Sequence, residues 1–201
     1  MGKAEENKQK KRTALLSHAF SLFINKGIPN TTISDIVNNA GVAKGTFYSY
    51  FKDKDDLIEK LVAQKAEQLL AASIEELEKH TEVDTVEEKI IFIANDLLDR
   101  LTLDTRLLKF INKNLSYGFI SRALSREDIK SELDIPALYY KMLESDGSKW
   151  ENPSLMLYTI FELVSSTCHT VILKSEPVNF EEYKPYLFKC IRSIIEVFRV
   201  S

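Results

Sequence analysis

Proline and glycine are scarce in this chain, five and six of 201 residues. These residues punctuate turns, so their scarcity leaves room for long periodic segments and argues against a turn-rich β architecture. Strand-like alternation of useful length and internal repeats are both missing. Cysteine is rarer still: Cys168 and Cys190 stand alone, with no Cys-x-x-Cys pair. That excludes a disulfide framework and a thiolate metal site, and with the charged start from Met1 to Arg12 it leads us to expect a reducing, cytoplasmic setting. A long charge-free run is also lacking. The nearest approach, Ser154 to Leu173, contains Glu162, His169 and several hydroxyls, and reads as a buried helix rather than a membrane span.

Catalytic constellations are equally thin. There are three histidines, His18, His80 and His169, and no His-x-x-x-His pair. Cys168 and His169 are adjacent, so on a helix they point about 100° apart and make a poor nucleophile–base pair. The run Gly41-Val-Ala-Lys-Gly-Thr46 lacks the Gly-Lys-Ser/Thr order of a phosphate loop. We therefore expect no enzyme, no cofactor and no metal.

What is present is an uneven charge. The formal net charge is −3, which alone argues against a nucleic-acid partner. Residues 1–54, however, hold nine Lys/Arg against four Asp/Glu, a net of +5, and the remaining residues carry −8. A basic head on an acidic body suits phosphate attraction, although short segments also vary in charge by chance.

The apolar periodicity predicts an all-α protein of about nine helices. Residues 1–8 read as a disordered polar arm. Leu15, Leu16, Ala19, Phe20 and Phe23 mark a first helix that stops at Gly27, before Pro29. Thr31-Thr32 caps a short helix carrying Ile33, Ile36 and Val37, which ends at Gly41; a second short helix runs from about Lys44 to Tyr50. Asp53 opens a long connecting helix, 53–79. Thr85-Val-Glu-Glu88 is a capping-box pattern opening the next helix, and another starts near Thr105. Ser125-Arg-Glu-Asp128 should open one that kinks at Pro136 and closes at Gly147. Asn152-Pro153 begins the nearly uncharged helix. Asn179-Phe-Glu-Glu182 caps the last, in which Pro185 makes the start uncertain. The domains expected are a helix-turn-helix domain over 9–54, with its motif at 32–51, and a helical body over 55–201.

Two short helices with a glycine in the turn between them form a helix-turn-helix. Ile33, Ile36, Val37, Ala40, Val42 and Phe47 should face inward, leaving Lys44, Gly45, Thr46, Tyr48, Ser49 and Tyr50 for a major groove. Lys44 suits guanine acceptors or phosphate, Gly45 permits close backbone approach, and Thr46 suits a base edge or a thymine methyl. The Tyr48 and Tyr50 hydroxyls suit phosphate oxygens. Lys54, at a helix start, adds a cation beside free backbone N–H groups. Phe47 and Phe51 read as core, and Lys8, Lys10 and Lys11 as a solvated tail or a minor-groove contact.

The stretch Arg12-Thr-Ala-Leu-Leu-Ser-His-Ala-Phe-Ser-Leu-Phe, then Gly27, Thr31-Thr32, Ile36 and Ala40-Gly-Val-Ala-Lys-Gly-Thr-Phe-Tyr-Ser-Tyr-Phe-Lys-Asp-Lys-Asp-Asp-Leu57, closely resembles the tetracycline-repressor (TetR) family over residues 10–60. Carried over position by position, the resemblance adds Thr32 to the DNA contacts. It departs at Ala43, where the family often has a capping Ser or Thr, a loss of roughly 1 kcal/mol, and at Val37 and Tyr50. It implies a homodimer on a near-palindromic operator of double-stranded DNA and a C-terminal body that senses an unknown small molecule, most simply a repressor released by its effector. The alternative is a DNA-binding protein whose body engages a protein partner. No membrane is implied.

The resemblance further implies that the last two helices form the dimer seam, for which Phe161, Cys168, Leu187, Ile191, Ile194 and Phe198 are candidates. Glu162, Ser165, Ser166 and His169 form one polar stripe. Glu162 and His169 either face an effector cavity or are paired across the dimer, since buried charges need partners. Phe92, Phe110, Tyr117, Tyr139, Tyr140 and Trp150 suit either an apolar pocket or core packing. Of these, Phe110, Tyr117 and Tyr139 join Glu162 and His169 as effector candidates.

Overall fold

The computed structural model describes residues 2–112, 134–145 and 147–200. Nine α-helices are present among the described residues, with one two-stranded ribbon. The chain divides into two compact units, residues 1–64 and 65–201, and the division falls inside one long helix.

The first unit holds α1 (Lys3–Lys26), α2 (Ile33–Asn39), α3 (Lys44–Tyr48) and the start of α4 (Lys54–Leu77). The amphipathic stripe of α1 inserts Leu15, Leu16, Ala19 and Phe23 into a core closed by Ile36, Val37, Phe47, Phe51, Leu57 and Leu61. The apolar residues predicted for these faces are there, although Ile33, Ala40 and Val42 are only half-buried. The expected disordered arm is helical instead: α1 starts at Lys3. No proline or glycine interrupts residues 3–26, Glu5 and Glu6 sit favourably at the positive end of the helix, and Glu6 pairs with Lys10 at 2.9 Å. Gly27 ends the helix with φ of 80°, a left-handed value that favours glycine.

The second unit holds the rest of α4, then α5 (Val86–Leu103), α6 (Thr105–Asn112), α7 (Ile135–Glu144), α8 (Pro153–Lys174) and α9 (Phe180–Phe198). The strands β1 (Lys149–Trp150) and β2 (Arg199–Val200) pair antiparallel, with Trp150 opposite Arg199. This ribbon was not anticipated, because two-residue strands carry no detectable alternation. Helix α9 packs on α8 and α5, and α6 packs on α8. Thr85 caps α5 through the full box with Glu88, as its pattern predicts. Asn179 caps α9 by accepting from Glu182 N–H at 3.0 Å, so the helix starts cleanly despite Pro185.

Pro136 does not kink a helix. It lies in the first turn of α7, where a proline costs no hydrogen bond, and Asp134 is the cap, accepting from Ala137 N–H at 3.0 Å. The expected cap at 125–128 lies outside the described residues.

Helix α8 is long and apolar enough, by length and composition alone, to cross a membrane. Here it is part of the helical body, and it is not buried nearly all round. Met156, Ile160, Cys168 and Val171 enter the core, while Leu155, Tyr158 and Ser166 are exposed. Three residues expected at a dimer seam are misplaced by that expectation: Cys168, Leu187 and Ile191 are enclosed in the protomer's own core, with Tyr139, Leu143, Val86 and Leu98. An atom without accessible surface cannot meet a partner. Phe161, Ile194 and Phe198 are half-buried, the last two packed against that core. Burial pushes the Cys168 thiol up to about 11, so it is protonated at neutral pH and is no nucleophile.

Ile191→Ala should therefore lower protomer stability by about 2–5 kcal/mol, the usual range for emptying a core site. Urea unfolding followed by circular dichroism checks this, and an unchanged midpoint and slope would place Ile191 outside the core.

Candidate nucleic-acid interface

The α2–turn–α3 segment is built by local bonds. Thr32 caps α2: Asp35 N–H donates to Thr32 Oγ1 at 3.1 Å, and the Thr32 N–H and hydroxyl both donate to Asp35 Oδ2 at 2.9 Å. This box was not foreseen, although Thr-x-x-Asp is its signature. The main-chain bond from Thr32, then that from its hydroxyl, hold the Asp35 carboxyl below its ordinary 3.8, with a smaller pull from Lys26. Gly41, with φ of 64°, turns the chain after α2, and Val42 N–H closes the turn onto Val37 O at 3.0 Å.

Helix α3 has five residues and one buried side chain, Phe47. Ala43 stands at its N-cap and offers no side-chain bond, as expected from the residue type. Lys44, Gly45, Tyr48 and Ser49 are exposed; Thr46 and Tyr50 are half-buried. A Cβ built on Gly45 would meet nothing within 4 Å. The protein's own packing thus does not require glycine there, which fits close approach by an external partner. Ser49 Oγ donates to Gly45 O at 3.2 Å.

Lys54 behaves differently from the expectation of a free phosphate ligand. Its ammonium donates to Ile28 O at 3.1 Å and Thr31 O at 3.2 Å, clamping the α1–α2 turn. Asp53 caps α4 by accepting from Asp56 N–H at 2.8 Å. Asp56 Oδ2 then accepts from Lys52 N–H at 2.9 Å and from Lys60 at 3.1 Å. Nothing in the sequence pattern singles out Asp56 or Lys60.

The five effector candidates are not gathered into a described cavity. Phe110 on α6 and Tyr139 on α7 are buried, and the Tyr139 hydroxyl donates to Pro153 O at 2.9 Å. Glu162 and His169 lie half-buried along α8. Tyr117 lies outside the described residues. A cleft of about 370 Å³ opens elsewhere, between the Glu82–Asn95 segment and α9, lined by Val83, Phe92, Phe188 and Arg192 among others. Among the described residues, no three His, Cys, Asp or Glu side chains converge to hold a metal ion.

A three-helix head that buries one face of a short second helix and exposes the other is a helix-turn-helix DNA-binding domain. The family model for bacterial regulatory proteins of the tetR family matches residues 15–61. The chain is 29% identical over 188 residues to an uncharacterized HTH-type transcriptional regulator, YvdT, of Bacillus subtilis, spanning 89% of this chain and 91% of that protein. It is 31% identical over 78 residues to the HTH-type transcriptional repressor KstR2 of Mycolicibacterium smegmatis, covering 35% of this chain and 38% of that protein. The fold is similar to that of the transcriptional regulator FadR of Bacillus subtilis in complex with stearoyl-CoA, with a TM-score of 0.60, 20% identity, and 91% and 98% of the two chains covered. Residues 15–61 thus match the DNA-binding domain of the tetR family of bacterial regulatory proteins, and the chain as a whole is similar to HTH-type transcriptional regulators.

The capping box yields a pH dependence. Because the folded Asp35 carboxyl titrates below the unfolded one, its contribution is present above the ordinary carboxylate range and is lost as pH falls through the folded value. Between about pH 5 and pH 2 the melting temperature of the wild type should fall more steeply than that of Asp35→Asn. Parallel profiles would mean that the box does not stabilise α2.

Proposed function

We propose that this regulator is a homodimeric repressor that binds a near-palindromic operator and is released from it by a small molecule. The supporting observation is the exposed face of α3, where Lys44, Gly45 and Tyr48 stand on a basic head. Lys44, Gly45 and Thr46 meet base edges, Lys44 also reaching phosphate, while Tyr48, Ser49 and Tyr50 meet phosphates. Thr32 contributes chiefly as the cap of α2, and Lys54 as the holder of the α1–α2 turn, with its remaining N–H available to phosphate.

The dimer seam is the outer side of α8 and α9. Leu155, Tyr158, Tyr186 and Val197 are exposed there, the last two at 62% and 75%. They adjoin the half-buried Phe161, Ile194 and Phe198. On this seam Glu162 and His169 stand closer to a partner than to an internal cavity. In the domain division we favour, 9–54 reads DNA, 53–79 connects, and the body over 55–201 senses. The stearoyl-CoA held by FadR supports a small-molecule ligand for a body of this fold. Effector binding moves α4 and thereby changes the separation of the two heads.

Selection from a random duplex pool with the full chain tests the reading. The expected product is an inverted repeat with half-sites about one helical turn apart; no enrichment, or an unrepeated site, contradicts it. On that duplex, Lys44→Ala should reduce the slope of log affinity against log salt by roughly 0.9 if it meets phosphate. Thr46→Ala should change base preference at one position per half-site. A thermal-shift screen that includes stearoyl-CoA separates ligand release from the protein-partner alternative: a stabilising compound should also weaken operator binding.

A further inference from the structure

Lys60 lies on the second turn of α4, and its side chain is only 11% exposed. Taking a lysine out of water is costly unless its donors are satisfied. Here the ammonium donates to Asp56 Oδ2 at 3.1 Å and to Tyr50 O at 3.3 Å, and it stands 5.6 Å from the centre of the Phe51 ring. Asp56 is itself only 14% exposed and also accepts from Lys52 N–H.

Tyr50 O, the Phe51 ring and Lys52 N–H all lie on the segment that joins the recognition helix to α4. Tyr50 N–H and Phe51 N–H both donate to Phe47 O at 3.0 Å, and the Phe47 and Phe51 rings are 5.4 Å apart. A five-residue helix with an uncapped start has little stability of its own. Phe47 is its one buried side chain, so its orientation also depends on where it joins α4. Lys60 holds that junction by its main chain, by its charge and by an aromatic face at once.

We propose that Lys60 is a positioning residue for DNA recognition: bound to Tyr50 O and Asp56, it fixes the end of α3 to α4 and so sets the angle at which Lys44 and Thr46 enter the groove, without touching DNA. The proposal rests on the DNA-binding reading above. It separates Lys60 from a phosphate contact, because a positioning residue changes the preference for one sequence while leaving the number of neutralised phosphates unaltered.

The test uses the full chain, the duplex selected with the wild type, and a scrambled duplex of equal length. Lys60→Met keeps the apolar stem against Phe51 and removes the donor and the charge. It should weaken binding to the selected duplex by roughly tenfold or more, the scale of losing a hydrogen bond to a charged group. Binding to the scrambled duplex and the salt slope should match the wild type. Lys60→Arg, which keeps a cationic donor, should recover part of the preference for the selected duplex. Selected-duplex affinity within roughly twofold of wild type, well below the loss expected for a bond to a charged group, overturns the proposal. So does a slope reduced by roughly 0.9, which would make Lys60 a phosphate ligand. If circular dichroism shows that Lys60→Met does not fold, Asp56→Asn takes its place: the ratio of selected to scrambled affinity should fall at constant slope, and an unchanged ratio overturns the proposal. Failure of the wild type to enrich any duplex overturns the DNA-binding reading as well, whereas an enriched duplex bound equally by wild type and variants overturns this inference alone.

Discussion

A recognition helix of five residues cannot hold itself. Nucleating a helical turn is unfavourable, and α3 lacks even a capping side chain at Ala43. Its geometry depends on one anchor, Phe47, which enters the core of the head beside Phe51, Ile36 and Leu57. Burying one large aromatic contributes on the order of 1.5–3 kcal/mol, more than a cap supplies. With Phe47 fixed, Lys44 and Tyr48 are left outside and Thr46 at the rim. The proposed DNA face is what remains when the core face has been chosen.

Around that anchor the head is tightened by polar bonds to main-chain groups rather than by pairs of surface charges. Lys54 binds two carbonyls of the α1–α2 turn, Lys60 binds the carbonyl that follows α3, and Asp35 closes the start of α2. Each removes a polar group from competition with water, and each fixes a backbone position, which exposed ion pairs do poorly. The second unit carries a comparable set, to which α4 contributes Ser73. Ser73 is fully buried, and the Asp96 carboxyl, pushed up by burial, is held below its ordinary value by bonds from Arg100 and Ser73. Nearby, His80 meets Glu82 at 2.8 Å and packs its ring on Phe92. Further along, Lys184 meets Asp99 at 2.6 Å, and Arg192 pairs with Glu87, linking α9 to α5. One continuous helix thus makes specific bonds in both units, through Lys54 and Lys60 in the first and Ser73 in the second, which supports the proposal that it transmits.

Much of the head was legible in the sequence. The spacing of Leu15, Ala19, Phe23, Ile36, Phe47 and Phe51, the glycines at 27 and 41, and the run Lys44 to Phe51 each have one consistent reading. The polar clamps were not legible, because Lys54 reads as a phosphate ligand and Lys60 as any surface lysine until the carbonyls they reach are known. The body was harder for a different reason. In α8 and α9 an apolar residue every third or fourth position reads alike whether it meets its own core or a second subunit. Leu187 and Ile191 went inward, while Val197 and Tyr186, less prominent in the pattern, stayed outside. The first turn of α1 and the placement of Pro136 were missed because termini and prolines were read as breaks, when both also suit helix starts.

The central claim is that the surface formed by α3 and the first turns of α2 and α4 is where DNA binds. Amide hydrogen exchange of the full chain, with and without its selected duplex, tests this most directly. The account predicts that added protection concentrates in residues 32–35 and 43–54, with the α8 and α9 cores unchanged. Protection confined to residues 65–200, with the head exchanging as in the free protein, would contradict it.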